Sequence, residues 1–300
     1  MDHDNRRAKA NSGKRRPVDA GKHGSRMKPT SELAQRGGAV TPPSGPQEAA
    51  RMLHPAPLLQ LQSLVIGYPQ RSLCTPLNLQ IPSGAAVGII GANGSGKSTL
   101  IKTLVGLLDP LSGQYTWNAA MRCSYVPQED RLSPLFPLTV VDVLKMGWRD
   151  GLPRLRGSNA AFDTAATQML HEVELTAQRH QLISELSRGQ RQRALIARAL
   201  IGTPTVLFLD EPYSALDDFF RRKLQEIFLR RRQQAEFSFF MIEHDINRVV
   251  NQVDWVILLG PQETLCGPTA DVITPQTLSR AYGTPLHVHE ENGEIHVHFV

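Results

Sequence analysis

Residues 91–98 read GANGSGKS and fit the pattern G-x-x-x-x-G-K-[ST] in full. They follow the apolar run AAVGII (85–90), which is typical of a strand buried on both faces of a parallel sheet, and they open a helical pattern over residues 98–108. Glycines allow backbone N–H groups to surround phosphate oxygens without a Cβ in the way, and the helix N-terminus adds its dipole. This order of elements predicts a phosphate-binding loop for a nucleoside triphosphate.

Within this loop, Lys97 is expected to place its positive charge on the terminal phosphates, and Ser98 is expected to bind Mg²⁺. The predicted nucleotide-binding residues of the segment are Gly91, Ala92, Asn93, Gly94, Ser95, Gly96, Lys97, Ser98 and Thr99.

A second motif, VLFLDEP (206–212), complements the loop. Its apolar residues predict a buried strand that ends at Asp210, and ligand sites of such sheets lie at the carboxyl ends of the strands. An unpaired buried carboxylate is costly, which disfavours a purely structural role for the acidic pair. We expect Asp210 to hold Mg²⁺ through water and Glu211 to act as the general base on the attacking water.

Strand-like and helix-like segments alternate along most of the chain, which indicates an α/β fold with a mainly parallel sheet. Residues 58–68 and 73–84 predict two antiparallel strands ahead of the loop. Residues from about 130 to 190 are mostly helical in pattern and interrupt the alternation. We therefore expect residues 52–300 to form a P-loop NTPase core with an antiparallel β subdomain and an inserted α-helical subdomain.

Further short sequences resemble those of ABC-type ATPases and occur in the same order. Leu186-Ser187-Arg188-Gly189-Gln190 resembles the LSGGQ signature, with Arg188 in place of the first glycine. The resemblance covers about residues 58–265. The remaining matches are Tyr68 with the aromatic residue that stacks on adenine, Gln128 with the Q-loop glutamine, Ser214-Ala215-Leu216-Asp217 with the D-loop, and His244 with the switch histidine.

This resemblance implies a dimer in which two copies sandwich two ATP molecules, with Mg²⁺ as the second cofactor. In each site one copy would supply the phosphate loop and the catalytic residues Glu211, His244 and Gln128. Gln128 would also contact Mg²⁺, together with Ser98 and Asp210. Arg188 is expected to point away from the γ-phosphate. The second copy would contribute four residues in trans, namely Ser187, Gly189, Gln190 and Asp217.

Composition restricts the cellular setting. The first fifty residues carry ten Lys and Arg against five Asp and Glu, which accounts for the whole net charge of +5. Residues 1–51 have few large apolar side chains and are predicted to be a disordered basic tail, and Met52 is a possible alternative start. No apolar run reaches the roughly 18 residues that cross a bilayer, and no apolar signal segment opens the chain. Three scattered cysteines without metal-ligand spacing indicate a reducing compartment.

We therefore expect an ATP-hydrolysing subunit, peripheral on the cytoplasmic face of the cell (inner) membrane, that energises an ABC importer. Residues 125–152 and 278–300 resemble the corresponding segments of importers for metal ions and iron chelates. The expected partners are a second copy, integral membrane permease subunits and a substrate-binding protein, with no specific nucleic acid. Two alternatives stay open, a non-transport ABC ATPase acting on nucleic acid or ribosomes and a regulatory ATP-binding protein with little turnover.

The C-terminal segment predicts a hairpin over about residues 286–299, because Asn292-Gly293 is a strong two-residue turn signal. The expected register pairs His289 with His296 and His287 with His298, so all four imidazoles share one face. That face is either a polar surface in water or a site for a zinc-type ion that regulates the protein.

Overall fold

The structure, a computed structural model, describes residues 57–118, 121–128, 137–148, 160–234, 237–260 and 263–300. The predicted basic tail (1–51) and residues 130–136 and 149–159 of the predicted helical subdomain lie outside these ranges. The strands are β1 (Leu59–Val65), β2 (Gly67–Tyr68), β3 (Arg71–Ser72), β4 (Leu77–Ile81), β5 (Ala86–Gly91), β6 (Ser112–Trp117), β7 (Cys123–Val126), β8 (Val206–Asp210), β9 (Ser238–Ile242), β10 (Trp255–Leu259), β11 (Thr264–Pro268), β12 (Leu286–Glu291) and β13 (Glu294–Phe299).

The helices flank these strands and also form a separate group in the middle of the chain. They are α1 (Lys97–Leu104), α2 (Val140–Gly147), α3 (Ala160–Glu172), α4 (Arg188–Ile201), α5 (Asp218–Gln234), α6 (Ile246–Val250), α7 (Thr269–Val272) and α8 (Pro275–Tyr282), with a 3₁₀ turn at Ile183–Glu185.

The main sheet has six strands in the order β11-β10-β5-β9-β8-β7. All neighbouring pairs are parallel except β10 and β11. A separate sheet of order β4-β1-β6 is antiparallel. The predicted α/β class, with a mainly parallel core and an antiparallel β subdomain, is confirmed.

The central strands β5, β8 and β9 are buried along their whole length. The rings of Phe208 on β8 and Phe240 on β9 stack, with centroids 4.8 Å apart. Trp117 packs edge-on against both rings, at 5.8 and 5.9 Å. Because Asp210 is the last residue of β8 and Glu211 follows it, this packing positions the acidic pair.

The helices of the inserted region pack closely. Thr139 begins α2 with a capping box, in which its side chain accepts a hydrogen bond from the Asp142 N–H and the Asp142 carboxylate accepts one from the Thr139 N–H. At the other end of α2, a Cβ placed on Gly147 would collide with the backbone carbonyl of Arg198 in α4. The absence of a side chain at Gly147 therefore permits the close contact of the two helices.

Gly147→Ala is expected to destabilise the protein by about 1–3 kcal/mol, the usual cost of overpacking, because backbone atoms must move to admit the methyl group. Urea denaturation of the purified protein measures the effect. Gly267→Ala is the control, since a Cβ there would meet Val272 at an ordinary 3.4 Å. Equal stability of the two variants would contradict the proposed close contact.

Candidate active site

The phosphate loop lies between β5 and α1. Gly91 and Gly96 adopt φ values of 147° and 100°, in the region that favours glycine. The Lys97 Nζ donates to the carbonyls of Gly91 and Ala92, at 2.9 and 3.0 Å. Burial lowers the pKa of Lys97, while the negative charges of Glu211 and Asp210 oppose that shift. The Lys97 ammonium is therefore held inside the loop, whose backbone N–H groups are the donors that phosphate oxygens would bind.

An open cavity of about 410 Å³ lies above the loop. It brings together predicted residues from the loop, from β2 and from the ends of three strands of the main sheet. Tyr68 is 45% exposed, and its hydroxyl lies 3.5 Å from the Thr99 Oγ1. The lining residues are Tyr68, Arg71, Leu73, Asn93, Gly94, Gly96, Lys97, Ser98, Thr99, Gln128, Glu211, Ile242 and His244.

The three predicted catalytic side chains contact one another at Glu211. Its Oε1 accepts hydrogen bonds from the Gln128 Nε2 at 2.7 Å and from the His244 Nε2 at 2.6 Å. Both of these contacts are made to Oε1, and neither is made to Oε2. The residue has a positive φ of 53°, and its N–H donates to the Ile242 carbonyl at 3.0 Å. A strained backbone held by the neighbouring strand thus orients the carboxylate.

Asp210 lies beneath the cavity at the end of β8 and is almost completely buried. Its Oδ2 is 3.5 Å from the Tyr125 hydroxyl, and the Ser98 side chain forms a hydrogen bond with the carboxylate. Burial raises the pKa of Asp210, and the bond from Ser98 opposes that shift. Among the described residues, no donor contacts the buried Oδ1. An orphaned carboxylate oxygen beside a hydroxyl fits a hard cation such as Mg²⁺.

The signature segment lies at the start of α4 and does not line the cavity. Ser187 and Gln190 form a capping box, in which the Ser187 Oγ accepts from the Gln190 N–H at 3.2 Å and the Gln190 Oε1 accepts from the Ser187 N–H at 3.0 Å. A Cβ on Gly189 would lie 2.9 Å from the Ala215 carbonyl. Arg188 is exposed in the single chain, as is Ser187, so its direction relative to the γ-phosphate stays a prediction.

Asp217 also lies apart from the cavity. Its Oδ1 accepts a hydrogen bond from the Phe220 N–H at 2.7 Å, and its Oδ2 lies 3.8 Å from Arg193. The four residues predicted to act in trans therefore share one property in this single chain. Each contacts residues near it, and none lines the cavity above the phosphate loop.

One residue near the site was missed by the sequence analysis. The Tyr282 hydroxyl, on α8, accepts a hydrogen bond from the N–H of Gly91 at 3.0 Å. Burial raises the pKa of Tyr282 to about 12. A tyrosine at the end of a C-terminal helix carries no sequence signal for this contact, which spans 191 residues.

Tyr282→Phe is expected to leave the Gly91 N–H without its partner, at a cost of about 1–3 kcal/mol in the free protein. Because Gly91 is the first residue of the phosphate loop, we expect the KM for ATP to rise more than kcat falls. Steady-state ATPase kinetics measure both constants. Tyr115→Phe, on β6, is the control, and identical KM values for the two variants would exclude a role of Tyr282 in positioning the loop.

Together these elements define a P-loop nucleoside triphosphatase. A strand of a mainly parallel sheet leads into the loop, and a second strand of the sheet ends at the Asp210–Glu211 pair. Gln128 and His244 both contact the Glu211 carboxylate.

Comparisons with known proteins narrow the class. The family model described as ABC transporter matches residues 74–214. The chain is 31% identical to the manganese transport system ATP-binding protein MntB of Bacillus subtilis, over 76% of this chain and 93% of that protein. It is 36% identical to the aliphatic sulfonates import ATP-binding protein SsuB 1 of Rhizobium johnstonii, over 70% of this chain and 74% of that protein. A metal-chelate type ABC transporter solved in an inward-facing conformation has a TM-score of 0.70 and 28% identity, covering 81% of this chain and 97% of that one.

The chain therefore belongs to the ABC transporter family, as an ATP-binding subunit, and it is an ATPase. In the part of the chain that the structure describes, no helix is long and apolar enough to cross a membrane.

Proposed function

We propose that this chain hydrolyses ATP to drive an ABC importer for a metal ion or a metal chelate. The observation that carries the hydrolytic role is the position of Glu211, whose Oε1 is held by Gln128 and His244 beside the phosphate loop. This arrangement supports turnover and not only nucleotide binding, because it leaves a buried carboxylate oriented toward the cavity.

In the proposed mechanism Tyr68 stacks on the adenine, and the loop amides with Lys97 bind the phosphates. Ser98, Asp210 and Gln128 would hold Mg²⁺, which would neutralise charge on the phosphate oxygens. Glu211 accepts a proton from the attacking water through its Oε2. His244 keeps Glu211 in place and donates toward the γ-phosphate once nucleotide enters.

We further infer that each site is completed by a second copy. The cavity of the same copy is not lined by Ser187, Gly189, Gln190 or Asp217. The first three lie at a helix N-terminus, whose N–H groups and dipole favour anions. ATP between two copies would then favour the closed dimer, and product release would reopen it.

The membrane partners follow from the proposed importer. Integral permease subunits would dock on the helical region, a substrate-binding protein would deliver the cargo, and the ATPase would lie on the cytoplasmic face of the inner membrane. No specific nucleic acid is expected, because residues 51–300 contain equal numbers of acidic and basic side chains. This balanced charge gives no support to the alternative of an ABC ATPase acting on nucleic acid.

Metal or metal chelate is the substrate class that we favour, on the likeness to a manganese system and to a metal-chelate type transporter. Uptake by living cells tests it. Cells whose own copy carries Lys97→Ala are expected to lose uptake of radioactive Mn²⁺, Zn²⁺ or a ferric chelate, and to retain uptake of an aliphatic sulfonate. Loss of sulfonate uptake with all metal uptake intact would overturn the proposed substrate.

A further inference from the structure

The C-terminal hairpin presents an unusual face. β12 and β13 pair in the predicted register, with His289 opposite His296 and His287 opposite His298. Glu291 and Glu294 are also paired, and period-two alternation places both on the histidine face. The other face packs on the protein through Leu286 and Val297, which are buried. We call these four histidines the imidazole face.

Three of the four imidazoles lie close together, and two of their three ring separations match the distance across a shared metal ion. Ring centroids are 5.4 Å apart for His289 and His296, 5.1 Å for His289 and His298, and 6.4 Å for His296 and His298. A zinc–nitrogen bond of about 2.0–2.1 Å places two ring centroids about 5 Å apart across a tetrahedral ion.

The orientation of the rings differs from that of a bound site. The three rings are nearly parallel, with interplanar angles of 10–23°. Over the described residues, no three His, Cys, Asp or Glu side chains are arranged around a common point. His287, His289 and His298 are exposed, so their side chains are free to change rotamer, and such a rotation is what the proposed site requires to turn the ring nitrogens toward one ion.

The backbone beneath the face is held firmly. The side-chain amides of Asn247 and Asn251 bind the outer edge of β13 as a neighbouring strand would. Asn247 exchanges hydrogen bonds with the N–H and carbonyl of Val297, at 2.6 and 3.0 Å, and Asn251 does the same with Ile295, at 2.7 and 2.9 Å. A fixed backbone reduces the ordering that a ligand must impose.

We propose that the imidazole face binds a zinc-type transition-metal ion, and that α6 couples this ion to ATP hydrolysis. Neutral imidazole is a ligand that such ions prefer, and the two carboxylates at the turn offer further ligands or outer partners. His296 lies between Ile295 and Val297, the two residues that the asparagines bind. Asn247 is three positions after His244, so the proposed path from the metal to the nucleotide site is short. The metal site does not depend on the proposed function, whereas the coupling does.

Calorimetric titration with Zn²⁺ tests the site, using the full chain without nucleotide. Replacing even an outer partner costs about 10–100-fold in metal affinity, so His289→Gln/His296→Gln is expected to weaken Zn²⁺ binding about 100-fold or more. The control is His171→Gln/His180→Gln, two exposed histidines of the helical region, which should bind as the unaltered protein does. Thermal denaturation confirms that both variants are folded.

Equal isotherms for all three proteins would overturn the site, and so would an equal loss in both variants. The coupling has its own readout. The ATPase rate of the unaltered protein and of the control is expected to change at saturating Zn²⁺, and that of the hairpin variant is not. A rate that Zn²⁺ alters equally in the three proteins would exclude the coupling. An inactive protein that still binds Zn²⁺ in this pattern would refute the proposed hydrolysis and with it the coupling, and would leave the metal site standing.

Discussion

Glu211→Gln is expected to lower the kcat of ATP hydrolysis about 100- to 10,000-fold, the usual contribution of a general base. Glutamine has nearly the same shape and can still accept hydrogen bonds from Gln128 and His244, but it cannot take a proton from water. ATP binding should therefore stay within a few-fold of the unaltered protein. Phosphate release measured at saturating ATP, together with equilibrium nucleotide binding, separates the two effects.

Glu243→Gln is the matched control for this change. Glu243 directly follows β9, the strand beside β8, and is buried. It accepts a hydrogen bond from the Tyr213 N–H at 3.0 Å, so its replacement also removes a carboxylate near Glu211. We expect its effect to fall on stability, with kcat largely preserved. If the two substitutions lowered kcat equally, the loss would reflect general electrostatics and the assignment of Glu211 as the base would fail.

Lys97→Ala is expected to weaken ATP binding about 10- to 150-fold, which corresponds to the loss of about 1.5–3 kcal/mol from charge-assisted hydrogen bonds. The ammonium group now bonded to the carbonyls of Gly91 and Ala92 would exchange them for the terminal phosphates. AMP lacks those phosphates, so its affinity should change little.

The measurement is equilibrium binding of ATP and of AMP to the Lys97 variant and to Lys145→Ala. Lys145 forms a half-exposed ion pair with Asp142 on α2, and its removal should affect neither nucleotide. An equal loss for ATP and AMP would mean that Lys97 supports the fold of the loop and does not contact terminal phosphates.

The sequence predicted the parts of the site that local rules determine. A glycine loop after an apolar run, and an acidic pair after another, are short segments whose structure depends on their own residues and on burial. β5 and β8 accordingly form where the patterns placed them, and α1 begins there but ends at Leu104, four residues before the predicted end at residue 108. The C-terminal hairpin is similar, because Asn292-Gly293 fixes its turn and the turn fixes its register.

Contacts between residues that are far apart in sequence could not be predicted from such local rules. The hydrogen bond from Gly91 to Tyr282, and the bonds of Asn247 and Asn251 to β13, join residues far apart in sequence through ordinary polar groups. The short helices α6, α7 and α8 were also missed, because four to eight residues carry too little periodicity to separate a helix from a loop.

The start of α4 has a consequence for which substitutions this segment can accept. Arg188 and Gly189 are neighbours, yet the carbonyl of Ala215 occupies the space beside Gly189 while Arg188 faces water. A side chain at the first position costs nothing in packing, whereas any side chain at the second pushes the helix away from residues 214–217. The chain can therefore carry an arginine where related signatures have glycine, because only the second of these two positions is sterically restricted to glycine.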